Sequence, residues 1–114
     1  MTRLYQDKLT ELVSTLDLGQ GLALKLSVRQ FFNGAALYAG DAMCASWSPV
    51  GLAFRLPAKQ VSELIDGGQA IPLKYFAKGH IKKGYALFEN PADKDPSILK
   101  EYFLQAIAQA DTGA

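Results

Sequence analysis

Apolar residues at Leu4, Tyr5, Leu9, Leu12, Val13 and Leu16 recur at helical spacing, with Arg3, Asp7, Lys8 and Glu11 on the other side. This pattern predicts an amphipathic helix with one buried face. Leu18-Gly19-Gln20-Gly21 ends it, because glycine readily takes the left-handed conformation found just past helix ends. From Ser27 the spacing changes to β-branched and aromatic runs broken by turn residues. Residues 28–32 and 35–38 read as strands about an Asn33-Gly34 turn. Ala39-Gly40-Asp41 then leads into 42–47, and Ser48-Pro49-Val50-Gly51 into 52–56, which makes an antiparallel meander.

Pro57 fits the first position of a short helix whose apolar face is Val61, Leu64 and Ile65, and Gly67-Gly68 terminates it. Residues 71–76 and 84–89 read as two further strand-like segments around a loop, 77–83, rich in lysine and glycine. Asp95 suits an N-cap and Pro96 the first position of a final helix, with an apolar stripe of Ile98, Leu99, Tyr102, Phe103, Ala106, Ile107 and Ala110. Helices flanking strands in this order predict an α+β domain of two layers. Its antiparallel sheet has about five strands, with N-terminal, middle and C-terminal helices gathered on one face.

A length of 114 residues fits one domain, read as 1–110 with a frayed tail at 111–114. An apolar fraction of 49% and a charged fraction of 20% argue for a folded chain rather than a disordered one. The formal net charge of +1 provides no global field toward nucleic acid or acidic membranes, so any basic function is local. No apolar run approaches the ~20 residues needed to span a bilayer, and no basic segment leading an apolar run marks a signal peptide. The expected location is cytoplasmic, and the single cysteine suits a reducing compartment.

Candidate chemistry is sparse. His80 is the only histidine, and the lysines around it in Lys78-Gly79-His80-Ile81-Lys82-Lys83 lower its basicity and oppose a divalent metal. Cys44 lies in an alternating strand, where a free cysteine packs as a small hydrophobe. The carboxylates show neither catalytic pairing nor calcium-loop spacing, and the glycines do not form a phosphate-cradling loop. No catalytic residue, metal site or cofactor is therefore expected. Lys74, Lys78, Lys82 and Lys83, interleaved with Tyr75 and Phe76, form the one candidate polyanion site. Lysines at a hairpin tip also guard a sheet edge against unwanted pairing. Arg29 and Arg55 fall in predicted strands, where alternation can bring them to the solvent face.

In Val28-Arg29-Gln30-Phe31-Phe32-Asn33-Gly34-Ala35-Ala36-Leu37-Tyr38 the chain resembles the N-terminal domain of the TfoX/Sxy family, regulators of natural competence in bacteria. That family carries a basic residue, then Met-Phe-Gly-Gly, then a glycine and an aromatic. Arg29, Phe32, Gly34 and Tyr38 match, whereas Phe31, Asn33 and Ala36 depart from the pattern. Gly51-Leu52-Ala53-Phe54-Arg55-Leu56, Ile71-Pro72-Leu73 and Lys82-Lys83-Gly84-Tyr85-Ala86-Leu87-Phe88 extend the likeness over roughly residues 3 to 109. The resemblance implies an α+β fold like that of secretion chaperones, with no catalytic residues to carry over. Family members add a C-terminal helical domain associated with competence, and this sequence ends before one.

Three functions compete on this reading. The leading one is a non-enzymatic regulatory or protein-interaction module with an unidentified protein partner. The second is polyanion or nucleic-acid binding through the four lysines, and the third is a small-ligand or enzymatic pocket with Cys44, Tyr38, Trp47 or His80 at its mouth. Exposed sheet edges also allow a homodimer.

Overall fold

The periodicities resolve into three α-helices and six strands in a computed structural model, which describes residues 4–18, 25–31, 34–74 and 81–111. In chain order these are α1 (Leu4–Thr15), β1 (Leu26–Phe31), β2 (Gly34–Ala39), β3 (Ala42–Ser48), β4 (Gly51–Arg55), α2 (Ala58–Asp66), β5 (Ile71–Leu73), β6 (Lys82–Phe88) and α3 (Pro96–Asp111). The α+β class and the placement of the three helices are as the sequence predicts. The sheet has six strands in the order β1-β2-β3-β4-β6-β5, one more than expected, and every neighbouring pair is antiparallel.

Several boundaries move. The first strand begins at Leu26, and the strand expected over 71–76 closes at Leu73. Lys82 and Lys83, read from sequence as loop, belong to β6. Pro57 is the N-cap of α2 rather than its first helical residue, with its carbonyl accepting the Val61 N–H at 3.0 Å. Helix α3 runs through Asp111, and the rest of the expected tail, 112–114, lies outside the described residues. The expected Asn33-Gly34 turn lies partly outside the described residues, since Asn33 is not among them.

Alternation along each strand divides the core into two. Leu52 and Phe54 of β4, with Ala86 and Phe88 of β6, join the cluster that also contains Leu9, Val61, Leu64, Leu99 and Phe103 from the helices. Their strand neighbours Ala53, Tyr85 and Leu87, together with Leu73 of β5, form a second buried cluster. Successive strand residues point to opposite sides of a sheet, so the second cluster lies on the face away from the helices. The ends of two predicted apolar stripes escape burial, with Leu4 53% and Ile98 43% exposed.

Helix α3 starts as its sequence predicts. Asp95 Oδ1 accepts the Ser97 backbone N–H at 2.9 Å and the Ser97 hydroxyl at 2.8 Å, and these bonds hold the Asp95 carboxyl below the usual aspartate range. The β2–β3 hairpin turns through Gly40-Asp41, where a φ of 62° at Gly40 suits glycine. Between β2 and β3 the register jumps from Leu37 opposite Ala45 to Tyr38 opposite Met43. Cys44 is the extra residue of that bulge, and it turns inward into the helix-side cluster.

Candidate functional site

The face away from the helices is built from small residues at its centre. Arg29 pairs with Ala36, Ala36 with Ser46, Ser46 with Ala53 and Ala53 with Leu87, so one cross-strand row runs from β1 to β6. Ala36, Ser46 and Ala53 are fully or almost fully buried in that row. Tyr38, two residues from Ala36, lies diagonal to Arg29, whose guanidinium carbon sits 4.4 Å from the Tyr38 ring centre. That is a cation–π contact between diagonal strand neighbours, and it ties Arg29 down at the β1 side of the face.

At the opposite side the row opens into a groove of about 510 Å³. Leu87 contributes to its lining, Ile71 stands opposite Leu87 in register, and Pro49 and Val50 of the β3–β4 turn line it with Pro72. Val50 packs against the second buried cluster, whereas Ile71 is 40% exposed. Two exposed charged residues, Lys74 and Glu89, line the same groove. Sequence reading missed the groove, although the apolar i, i+2 pair Tyr85 and Leu87, on the strand face away from the helices, signalled a second buried cluster next to it.

A separate cleft of about 240 Å³ lies beside the start of α1, lined in part by Tyr5, Trp47, Glu89 and Asp93. The Lys8 ammonium stands 5.2 Å from the Trp47 ring centre and 5.4 Å from that of Tyr5. Lys8 therefore bridges two aromatic rings from its own chain and fastens α1 to β3.

The residues singled out from sequence are distributed rather than gathered. Lys74 is exposed just beyond β5, and Lys82 and Lys83 lie in β6. Lys78, His80, Tyr75, Phe76 and Phe32 lie outside the described residues. Gly34 is buried at the start of β2, Arg29 is exposed on β1 and Tyr38 is half-buried on β2. Arg29 and Arg55 share the same face but different strands, with Arg55 opposite Tyr85. Among the described residues no group of three or more His, Cys, Asp or Glu is placed to hold a metal ion, and no helix is long and apolar enough to cross a membrane.

Cys44 is fully buried, with Sγ 3.7 Å from the Ala42 carbonyl oxygen. Burial pushes its thiol from 9.0 up to about 11, against smaller opposing effects from a backbone hydrogen bond at Ala39 and the Arg55 charge. At pH 8 the folded chain should therefore hold about a hundredfold less thiolate than the unfolded chain. Ellman's reagent is expected to label the urea-unfolded protein fully while leaving the folded protein unmodified, and equal labelling rates would contradict this burial. Because the folded pKa is the higher one, the contribution is present below pH 9.0 and is lost as pH rises towards about 11. Cys44→Ala should remove that part of the alkaline loss.

Compared with protein-family models and with curated proteins, the chain matches none of them.

Proposed function

We propose that this chain is a non-enzymatic protein-interaction module that works through the sheet face opposite its helices, a role in keeping with its resemblance to the N-terminal domain of TfoX-type competence regulators. The groove beside Val50, Ile71 and Leu87 is the observation that carries this reading. Val50, Ile71 and Leu87 beside Lys74, Glu89 and Asn90 make a surface of mixed apolar and polar character, the anatomy of one that seats another chain. The residues suited to nucleophilic or acid–base work support the same reading by their positions. Cys44 is buried in the helix-side core, whereas Tyr38 lies on the opposite face.

Ile71→Asp tests it. Ile71 is an exposed edge-strand residue, so the substitution should leave the circular dichroism spectrum unchanged and cost no more than about 1 kcal/mol. Immobilised wild-type protein is expected to retain a polypeptide from an extract of its own cells in stoichiometric amount. Ile71→Asp should lose it, and nuclease treatment should leave it in place. Retention that ignores the substitution, or that nuclease abolishes, would overturn the proposal, and the second result would favour polyanion binding through Lys74, Lys78, Lys82 and Lys83.

A further inference from the structure

The groove carries more information than its apolar residues, because its two charged residues have opposite sign and stand at opposite ends. Ile71 lies opposite Leu87 on antiparallel neighbours. Glu89 is two residues beyond Leu87, and Lys74 is three residues beyond Ile71 in the other direction. Lys74 and Glu89 lie just past the strand ends at Leu73 and Phe88, and the paired stretch between those ends spans roughly 10 Å at about 3.3 Å per strand residue. Among the described residues no ion pair holds either charge.

We infer that the groove seats an extended segment of a partner polypeptide, roughly five residues long. Its apolar side chains meet Val50 and Ile71, a carboxylate meets Lys74 and a cationic side chain meets Glu89. The assignment rests on the reading of this face as the interaction surface and names the chemistry of what it takes. A free amino acid carries its two charges on neighbouring atoms and does not span the distance. A nucleic-acid strand presents a run of phosphates, which Glu89 repels. The volume of about 510 Å³ lies within the range of clefts that enclose a bound group. Strand β5 is the outermost of the sheet, is three residues long and contains Pro72, which has no N–H to offer. Backbone pairing along that edge is therefore weak. The charged ends then set the register and direction of the bound segment, which an apolar trough leaves free to slide.

Blocked pentapeptides with apolar centres and charged ends test the assignment in solution with the full chain. Four versions are titrated: acid–base, base–acid, acid–acid and base–base. One mixed-charge peptide is expected to bind about five-fold more tightly than either like-charged one, the scale of a single solvent-exposed ion pair. Lys74→Glu should transfer the preference to the base–base peptide, and Glu89→Lys should transfer it to the acid–acid peptide. Both substitutions are at exposed positions, and unchanged circular dichroism verifies that the variants fold. No binding below about 2 mM by any peptide, or a preference that neither variant moves, overturns the assignment. If the peptides fail while retention from extract still depends on Ile71, the groove chemistry is wrong and the interaction reading stands. If retention does not depend on Ile71, both fall.

Discussion

Phe54→Ala is expected to lower the free energy of unfolding by about 4 kcal/mol, a substantial part of the 5–15 kcal/mol that holds a domain of this size. Phe54 is fully buried, next to the last residue of β4, and reaches elements far apart in sequence. Its ring meets Phe103 of α3 edge-on, at 4.7 Å between centres and 87° between planes. It also meets Phe88 of β6 at 5.9 Å and Tyr102 of α3 at 5.7 Å. Truncation removes the buried area and leaves a void whose walls belong to a sheet and a helix that cannot both close over it. Aromatic pairs in this geometry add about 0.5–1.5 kcal/mol beyond area alone. Phe54→Leu keeps most of the volume and should cost about 1.5 kcal/mol. Urea unfolding monitored by circular dichroism measures both variants, and a loss below about 1 kcal/mol for the alanine variant would mean that Phe54 does not join the sheet to α3 as described.

Gly34→Ala should be the next most damaging single change, at about 3 kcal/mol. Two effects oppose each other at this position. Gly34 does not have a positive φ, so the stiffer unfolded chain of the alanine variant would by itself stabilise the fold by about 0.4–1 kcal/mol. Space decides the outcome. A methyl group at Gly34 would stand 2.7 Å from Ser48 Cα and 2.8 Å from Ser48 Cβ, and closer still to the Trp47 carbonyl oxygen. Two of these three atoms are backbone, and the strand that carries them is paired on its other side to β4, so it cannot move away alone. A melting temperature reduced by roughly 12 °C is expected from that loss. A stabilised Gly34→Ala variant would show instead that β2 and β3 separate readily at this end.

Much of the fold follows from local signals that tertiary packing reinforces. The Asp95-Pro96 start of α3, the Gly40-Asp41 hairpin and the apolar faces of α1, α2 and α3 each follow from one stretch of chain. The strand ends were less legible. Lys82 and Lys83 read as loop because lysine and glycine are weak strand formers, yet the pairing of Lys82 with Leu73 of β5 carries β6 back to that residue. The strand expected to continue through Phe76 stops at Leu73, where a bulge shifts the register of β5 against β6.

The candidate site was barely legible for a different reason. Its residues come from the β3–β4 turn, from β5, from β6 and from just beyond those strands, so Val50, Ile71 and Leu87 are 21 and then 16 positions apart and share no motif. The four-lysine segment stood out because its residues are contiguous. The sequence by itself determined the α+β class and the number and order of the helices, since each depends on periodicity or on the intrinsic preference of residues for caps and turns. Only the tertiary structure decided which apolar strand residues face the helices and which face the groove, and that Lys74 and Glu89 stand at its two ends. Those relations are set by register between antiparallel strands, where a shift of one residue would turn every side chain to the opposite face.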